Sequence, residues 1–164
     1  MPQSFSVYGL RLAVPEDWRL EFNAKNRKER GDVAFHTPKK NIFFVSWGRL
    51  EEALRAFQTL EKQREKSIGR IKGNPNVGKV DVELAGTEWI GGHDALLSRV
   101  SVHGRRGFMG RGTSDQDVWS LHLHCPTSGR YYVLYMEVKV PEEYPDQREM
   151  FLGVARSLSC HGAS

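Results

Sequence analysis

Trp119-Ser120-Leu121-His122-Leu123-His124-Cys125-Pro126-Thr127-Ser128-Gly129-Arg130-Tyr131-Tyr132-Val133-Leu134-Tyr135-Met136-Glu137-Val138-Lys139-Val140 is the stretch that decides the fold. Apolar side chains alternate with other residues on both sides of a Pro-Thr-Ser-Gly turn, and a period of two is that of a β-strand. Trp119, Leu121, Leu123 and Cys125 share one face of the first strand. Tyr132, Leu134, Met136, Val138 and Val140 share one face of the returning strand. The opposite face of that strand carries Tyr131, Val133 and Tyr135, which is too apolar for a surface left wholly in water.

Working upstream, Leu96, Val100 and Val102 mark a strand that follows a Gly91-Gly92 turn, and Val80, Val82 and Leu84 alternate before it. This is an antiparallel meander. Further upstream, Leu50, Ala53, Leu54, Phe57 and Leu60 recur at three and four, and Ile68 and Ile71 extend the pattern, so one long amphipathic helix is predicted, ending at residues 69–73. Ile42-Phe43-Phe44-Val45-Ser46-Trp47, short and apolar on both parities, reads as a central strand. Residues 5–14 suggest a short hairpin or bent strand around Gly9. Downstream, Met150, Phe151, Val154, Ala155 and Leu158 form the stripe of a second helix, with Pro145 suited to its first turn. Strands in sequence with two helices between and after them argue for one α+β domain over residues 1–164, with a helix on each side of the sheet.

The chain has 164 residues, 39% of them hydrophobic and 27% charged, enough for a core and without an apolar run long enough to cross a bilayer. Residues 1–8 lack the basic start and apolar stretch of a secretory signal, so the expected location is the cytoplasm. The net charge is +4, unevenly spread: residues 1–80 hold 16 Lys and Arg against 9 Asp and Glu, residues 81–164 hold 8 against 11. Such asymmetry marks either an anionic partner or a solvated basic face.

Small motifs recur together along the chain: Tyr8-Gly9-Leu10 and Val14-Pro15-x-x-Trp18 at the start, the aromatic strand before a helix, Gly91-Gly92-His93-Asp94-Ala95 entering the meander, and Ser128-Gly129-Arg130-Tyr131-Tyr132 before a final Ala155-Arg156-Ser157-Leu158. In this order the chain resembles the PsbP-like superfamily, which includes the extrinsic PsbP subunit of photosystem II, a Ran-binding nuclear import factor and many prokaryotic proteins of unknown role. The resemblance implies an α/β/α sandwich that acts as a non-catalytic binding or assembly factor. It carries over no catalytic residue.

Four groups of residues stand as site candidates. Gly104-Arg105-Arg106-Gly107-Phe108-Met109-Gly110-Arg111-Gly112 places Arg105, Arg106 and Arg111 beside Phe108 and Met109 in a predicted loop. It is either a partner contact, through guanidinium forks and two apolar side chains, or a solvated connection. Lys25, Arg27, Lys28, Arg30, Lys39 and Lys40 would serve as anion contacts, which keeps nucleic acid open as an alternative partner. His122 and His124 point to one face of a strand and could share a metal with His103 or Glu137, as a metal-dependent enzyme would need. The bland alternative is a pair of sheet-surface histidines that titrate near neutral pH. Cys125 alternates with core residues, and Cys125 and Cys160 could bridge, but they lack the paired spacing of a zinc module.

The sequence contains no G-x-S-x-G elbow, Walker loop, H-E-x-x-H or C-x-x-C pair. The expectation is a non-enzymatic factor that binds another protein and carries no cofactor.

Overall fold

The chain first turns back at Tyr8-Gly9, where both residues take positive φ, 49° and 81°. Two such residues in a row make the tight turn that matches strand twist, and glycine meets the second demand without steric cost. They join β1 (Pro2–Val7) to β2 (Leu10–Pro15) with Val7 opposite Leu10. The computed structural model describes residues 2–104 and 115–161. The Arg105, Arg106, Phe108, Met109 and Arg111 cluster lies outside the described residues.

After this hairpin come β3 (Arg19–Phe22), β4 (Gly31–His36) and β5 (Ile42–Arg49). Two helices, α1 (Leu50–Phe57) and α2 (Leu60–Lys72), carry the chain across to β6 (Val77–Ile90), β7 (His93–Gly104), β8 (Gln116–Cys125) and β9 (Arg130–Val138). A 3-10 turn over Pro141–Glu143 leads into α3 (Gln147–Ala155). The strands form an antiparallel sheet of seven in the order β3-β4-β5-β9-β8-β7-β6, and the β1-β2 hairpin forms a second sheet of two. The meander β6 to β9 therefore closes against β5, with Trp47 opposite Tyr132.

The long helix read from the apolar spacing is two helices. Gln58 takes φ 68°, outside the helical region, and the Thr59 hydroxyl accepts a hydrogen bond from the backbone N–H of Lys62 at 3.1 Å. That cap satisfies a donor which the helix interior would otherwise leave unpaired, so α2 starts afresh. With α3 this makes three α-helices among the described residues where two were expected. Pro145 stands just outside α3, and Asp146 caps it by accepting from the N–H of Glu149.

The alternation of β8 and β9 sorts as its pattern requires. Leu121, Leu123, Leu134 and Met136 are fully buried with Phe43 and Val45 of β5, Leu10 and Leu12 of β2, and Phe151 and Leu152 of α3. Phe43 links sheet and helix directly, its ring 5.7 Å from that of Phe151. Truncating one of these, as in Leu121→Ala, costs about 2–5 kcal/mol. On the other parity, Val100, Val102 and Val118 pack with Ile68 of α2 in a smaller cluster that Tyr135 joins.

Two places depart from the sequence pattern. Phe44, on the second face of β5, is only half-buried and stacks on Tyr135 with ring centroids 4.5 Å apart. Val82 and Leu84 alternate as core residues would, yet both are exposed, because β6 is the edge strand and its register shifts between Leu84 and Thr87.

Candidate functional site

The smaller apolar cluster does not fill the space between α2 and the sheet. A groove of about 440 Å³ remains, walled by Ile68 and Ile71 of α2 and by Val100, Val102, Val118 and Val133 of the strands. Its volume falls in the size range of small-molecule and side-chain pockets. Polar groups stand among them, including Arg70, Asn74 and Glu137. Ser120 meets Ser98 at 3.0 Å, and Gln116 Oε1 is buried without a hydrogen-bond partner.

His122 forms part of the groove floor. It is 1% exposed, its Nε2 lies 3.2 Å from Ser67 Oγ, and its Nδ1 has no partner. Burial, helped by the positive Arg64 and by His124, pushes its pKa down to about 4, so the imidazole is neutral at physiological pH. His124 Nε2 sits 2.7 Å from Gln63 Oε1, and burial lowers its pKa against the raising effect of Glu61. The expected pair of sheet-surface histidines titrating near neutral pH is corrected at His122: α2 covers this part of the sheet and holds both rings. His103 and Glu137 do not join them. The residue opposite His122 on β7 is Leu96, seven positions from His103, and Glu137 stands opposite Val118, four positions from His122. His103 instead lies 3.5 Å from both Asp81 and Asp115.

The six basic residues separate into two sets. Lys25, Arg27, Lys28 and Arg30 lie in the connection from β3 to β4, at one end of β4, and Lys39 and Lys40 lie in the β4–β5 turn at the other. β4 has six residues, so the sets stand roughly 20 Å apart at the usual strand rise. The first connection is held by the buried Asn26, whose Nδ2 donates to Asp32 O at 2.6 Å while its Oδ1 accepts from Asp32 N at 3.0 Å. Trp47 Nε1 donates to Arg27 O, Arg130 donates to Lys28 O, and Arg30 pairs with Glu52 at 2.5 Å. Beside this set lies an open cleft bounded by Lys28, Arg49, Leu54 and Arg130. Near Lys39, Glu143 accepts from the Lys39 N–H at 2.8 Å and from Thr37 Oγ1.

Cys125 is a core residue, as its alternation implies, and Cys160 is buried beside it with the two Sγ atoms 3.0 Å apart and unbridged. Burial and the neighbouring Cys125 push the Cys160 thiol up to about 12, away from nucleophilic reactivity. His161 stands against both sulfurs, and sequence reasoning did not single it out.

With the helix-backed sheet and the hairpin in place, the architecture can be matched to known structures. The chain shares its fold with Mog1. A mutant of the protein Mog1 superposes with a TM-score of 0.56 at 10% identity, covering 99% of this chain and 97% of the other. The Saccharomyces cerevisiae Ran-binding protein Mog1p gives 0.55 at 10% identity, over 96% and 94% of the two chains. LpqN of Mycobacterium tuberculosis, involved in cell envelope biogenesis, gives 0.52 at 14% identity, over 97% and 88%. No protein-family model matches the sequence, and no curated protein matches it. The likeness to these structures is one of fold alone. No helix among the described residues is long and apolar enough to cross a membrane.

Proposed function

We propose that this chain is a non-enzymatic binding factor that takes apolar side chains of a protein partner into the groove between α2 and the sheet. The layered order of helix, sheet and helix serves as its rigid frame. The carrying observation is the groove itself: about 440 Å³, with aliphatic walls and a neutral His122 in its floor. The aliphatic part of this lining favours an apolar side chain, with Arg70 and Glu137 at hand for polar groups beside it. The segment carrying Arg105, Arg106, Phe108, Met109 and Arg111 leaves β7 after Gly104 and rejoins β8 at Gln116, and Val102 and Gln116 both line the groove. On the strength of those two described neighbours in the chain, we assign the five residues the second half of the contact. Lys25, Arg27, Lys28 and Arg30 would meet an acidic part of the same partner. That a fold neighbour is a Ran-binding protein supports a protein as the partner.

Nucleic acid is the weaker reading. A single backbone track would need the six basic residues on one surface, and they stand at opposite ends of β4.

The test is capture from native extract with crosslinking, using the wild type, a groove variant (Val118→Arg) and a variant with Arg105, Arg106, Phe108 and Arg111 all changed to Ala. The expected outcome is loss of the same protein from both variants, with far-UV circular dichroism unchanged. Retention of that protein by Val118→Arg, or no specific protein on the wild type, overturns the reading.

A further inference from the structure

Four potential metal ligands from three distant segments meet beneath the end of the sheet. His93 follows the Gly91-Gly92 turn between β6 and β7, Cys125 ends β8, and Cys160 and His161 follow α3. One ligand atom from each falls within 4.8 Å of all the others. Besides the 3.0 Å between the sulfurs, His161 Nδ1 lies 3.5 Å from Cys125 Sγ and 3.3 Å from Cys160 Sγ. The His93 and His161 rings stand edge to face at 5.8 Å, and His93 Nε2 is buried with no hydrogen-bond partner.

We propose that His93, Cys125, Cys160 and His161 form a structural zinc site. Tetrahedral zinc with Zn–S of about 2.3 Å and Zn–N of about 2.0–2.1 Å separates its ligand atoms by roughly 3.3–3.8 Å. The two sulfur–nitrogen distances lie within that range, and the sulfurs, at 3.0 Å, would open by about 0.8 Å to the roughly 3.8 Å of a zinc-bound pair. Binding displaces one proton from each thiol, and the two thiolates cancel the charge of the divalent cation, which suits a buried site. With four protein ligands no position stays open for substrate, so the site is structural rather than catalytic.

The surroundings are built for close approach. Gly91 takes φ 58°, and a Cβ there would come within 3.1 Å of Leu158 O and 3.5 Å of Cys160 Sγ. The Cys160 carbonyl is fixed by Tyr132 Oη, which donates to it at 2.9 Å. A Cys125–Cys160 disulfide would use only two of the four groups and would leave the convergence of both imidazoles without a cause. The site departs from the sequence expectation of no cofactor, and it is independent of the groove.

Zinc analysis of the full chain, purified reduced without chelator, should give stoichiometric metal. Replacement by cobalt should give the visible bands of a tetrahedral ion and the near-ultraviolet charge-transfer band of cobalt–thiolate bonds. His93→Ala and His161→Ala should weaken zinc by more than the roughly 10–100-fold that loss of an outer-shell partner costs. Chelation should lower the melting temperature of the wild type. Absence of cobalt–thiolate bands in the fully reduced wild type overturns the proposal, whatever the variants do. So does an intact mass, from protein prepared in the presence of zinc, showing Cys125 and Cys160 oxidised to a bridge.

Discussion

His122 makes a pH dependence calculable from one side chain. Its pKa falls from 6.5 to about 4 in the folded protein, so the unfolded chain takes up the proton first as the medium is acidified. Its contribution is therefore fully present above about pH 6.5, is lost as pH falls towards 4, and changes no further below that. The shift corresponds to about 3 kcal/mol. Urea denaturation at about pH 7 and about pH 4 should show the wild type losing more stability than His122→Gln, by a large part of that figure. Equal losses would remove the account. The alternation of β8 made the facing of this residue legible, since Leu121 and Leu123 fix the opposite parity. What it left out was the cover, because whether a strand face meets water or α2 depends on a helix more than fifty residues away. The same holds for the sulfurs. Cys125 was legible as core, whereas its meeting with His93 and His161 depends on three chain segments that carry no common spacing.

At the scale of elements, the break between α1 and α2 is the instructive case. Leu50, Ala53, Leu54, Phe57 and Leu60 keep a helical spacing straight through it, so periodicity alone continues the helix. The local cue is polar: Thr59 before Leu60, with Glu61 in the first turn that follows. Thr59→Ala should destabilise the protein by ~1 kcal/mol through the lost cap. Gln58→Gly should stabilise it by up to ~1 kcal/mol, since glycine takes positive φ without the side-chain clash. Thermal melts of the two variants moving in opposite directions would confirm the break as a built corner, and a melt unchanged by Thr59→Ala would argue against the cap. The β6 pattern misled in the other sense. Val80, Val82 and Leu84 alternate like a buried strand, but on this edge strand only Val80 packs against the cluster around Ile68.

For the whole molecule, the residues after α3 decide how the hairpin is held. The β1-β2 pair belongs to its own sheet, and its outer bonds go to the residues after α3. Arg11 and Ser159 exchange backbone hydrogen bonds at 2.9 Å each, and the Ala13 N–H donates to Ser157 Oγ at 2.9 Å. Removal of residues 157–164 should expose the Arg11 and Ala13 amides to rapid hydrogen exchange and cost several kcal/mol, since the buried Leu158 and Cys160 leave with the segment. Protection of those two amides unchanged after the truncation would sink this.

That closure also sets an order on biosynthesis. The ribosome emits β2 early, yet Ala13 finds its partner 144 positions later in the chain. Until Ser157 and Ser159 have been translated and threaded clear, the first hairpin can pair only with itself, and the apolar Leu10, Leu12 and Val14 wait for α3. Contacts of such long sequence separation form slowly, because the intervening chain must first be brought together. The β1-β2 hairpin is thus sealed only by a segment made 144 positions after Ala13, and a message cut short before Ser157 yields a chain whose hairpin stays unsealed.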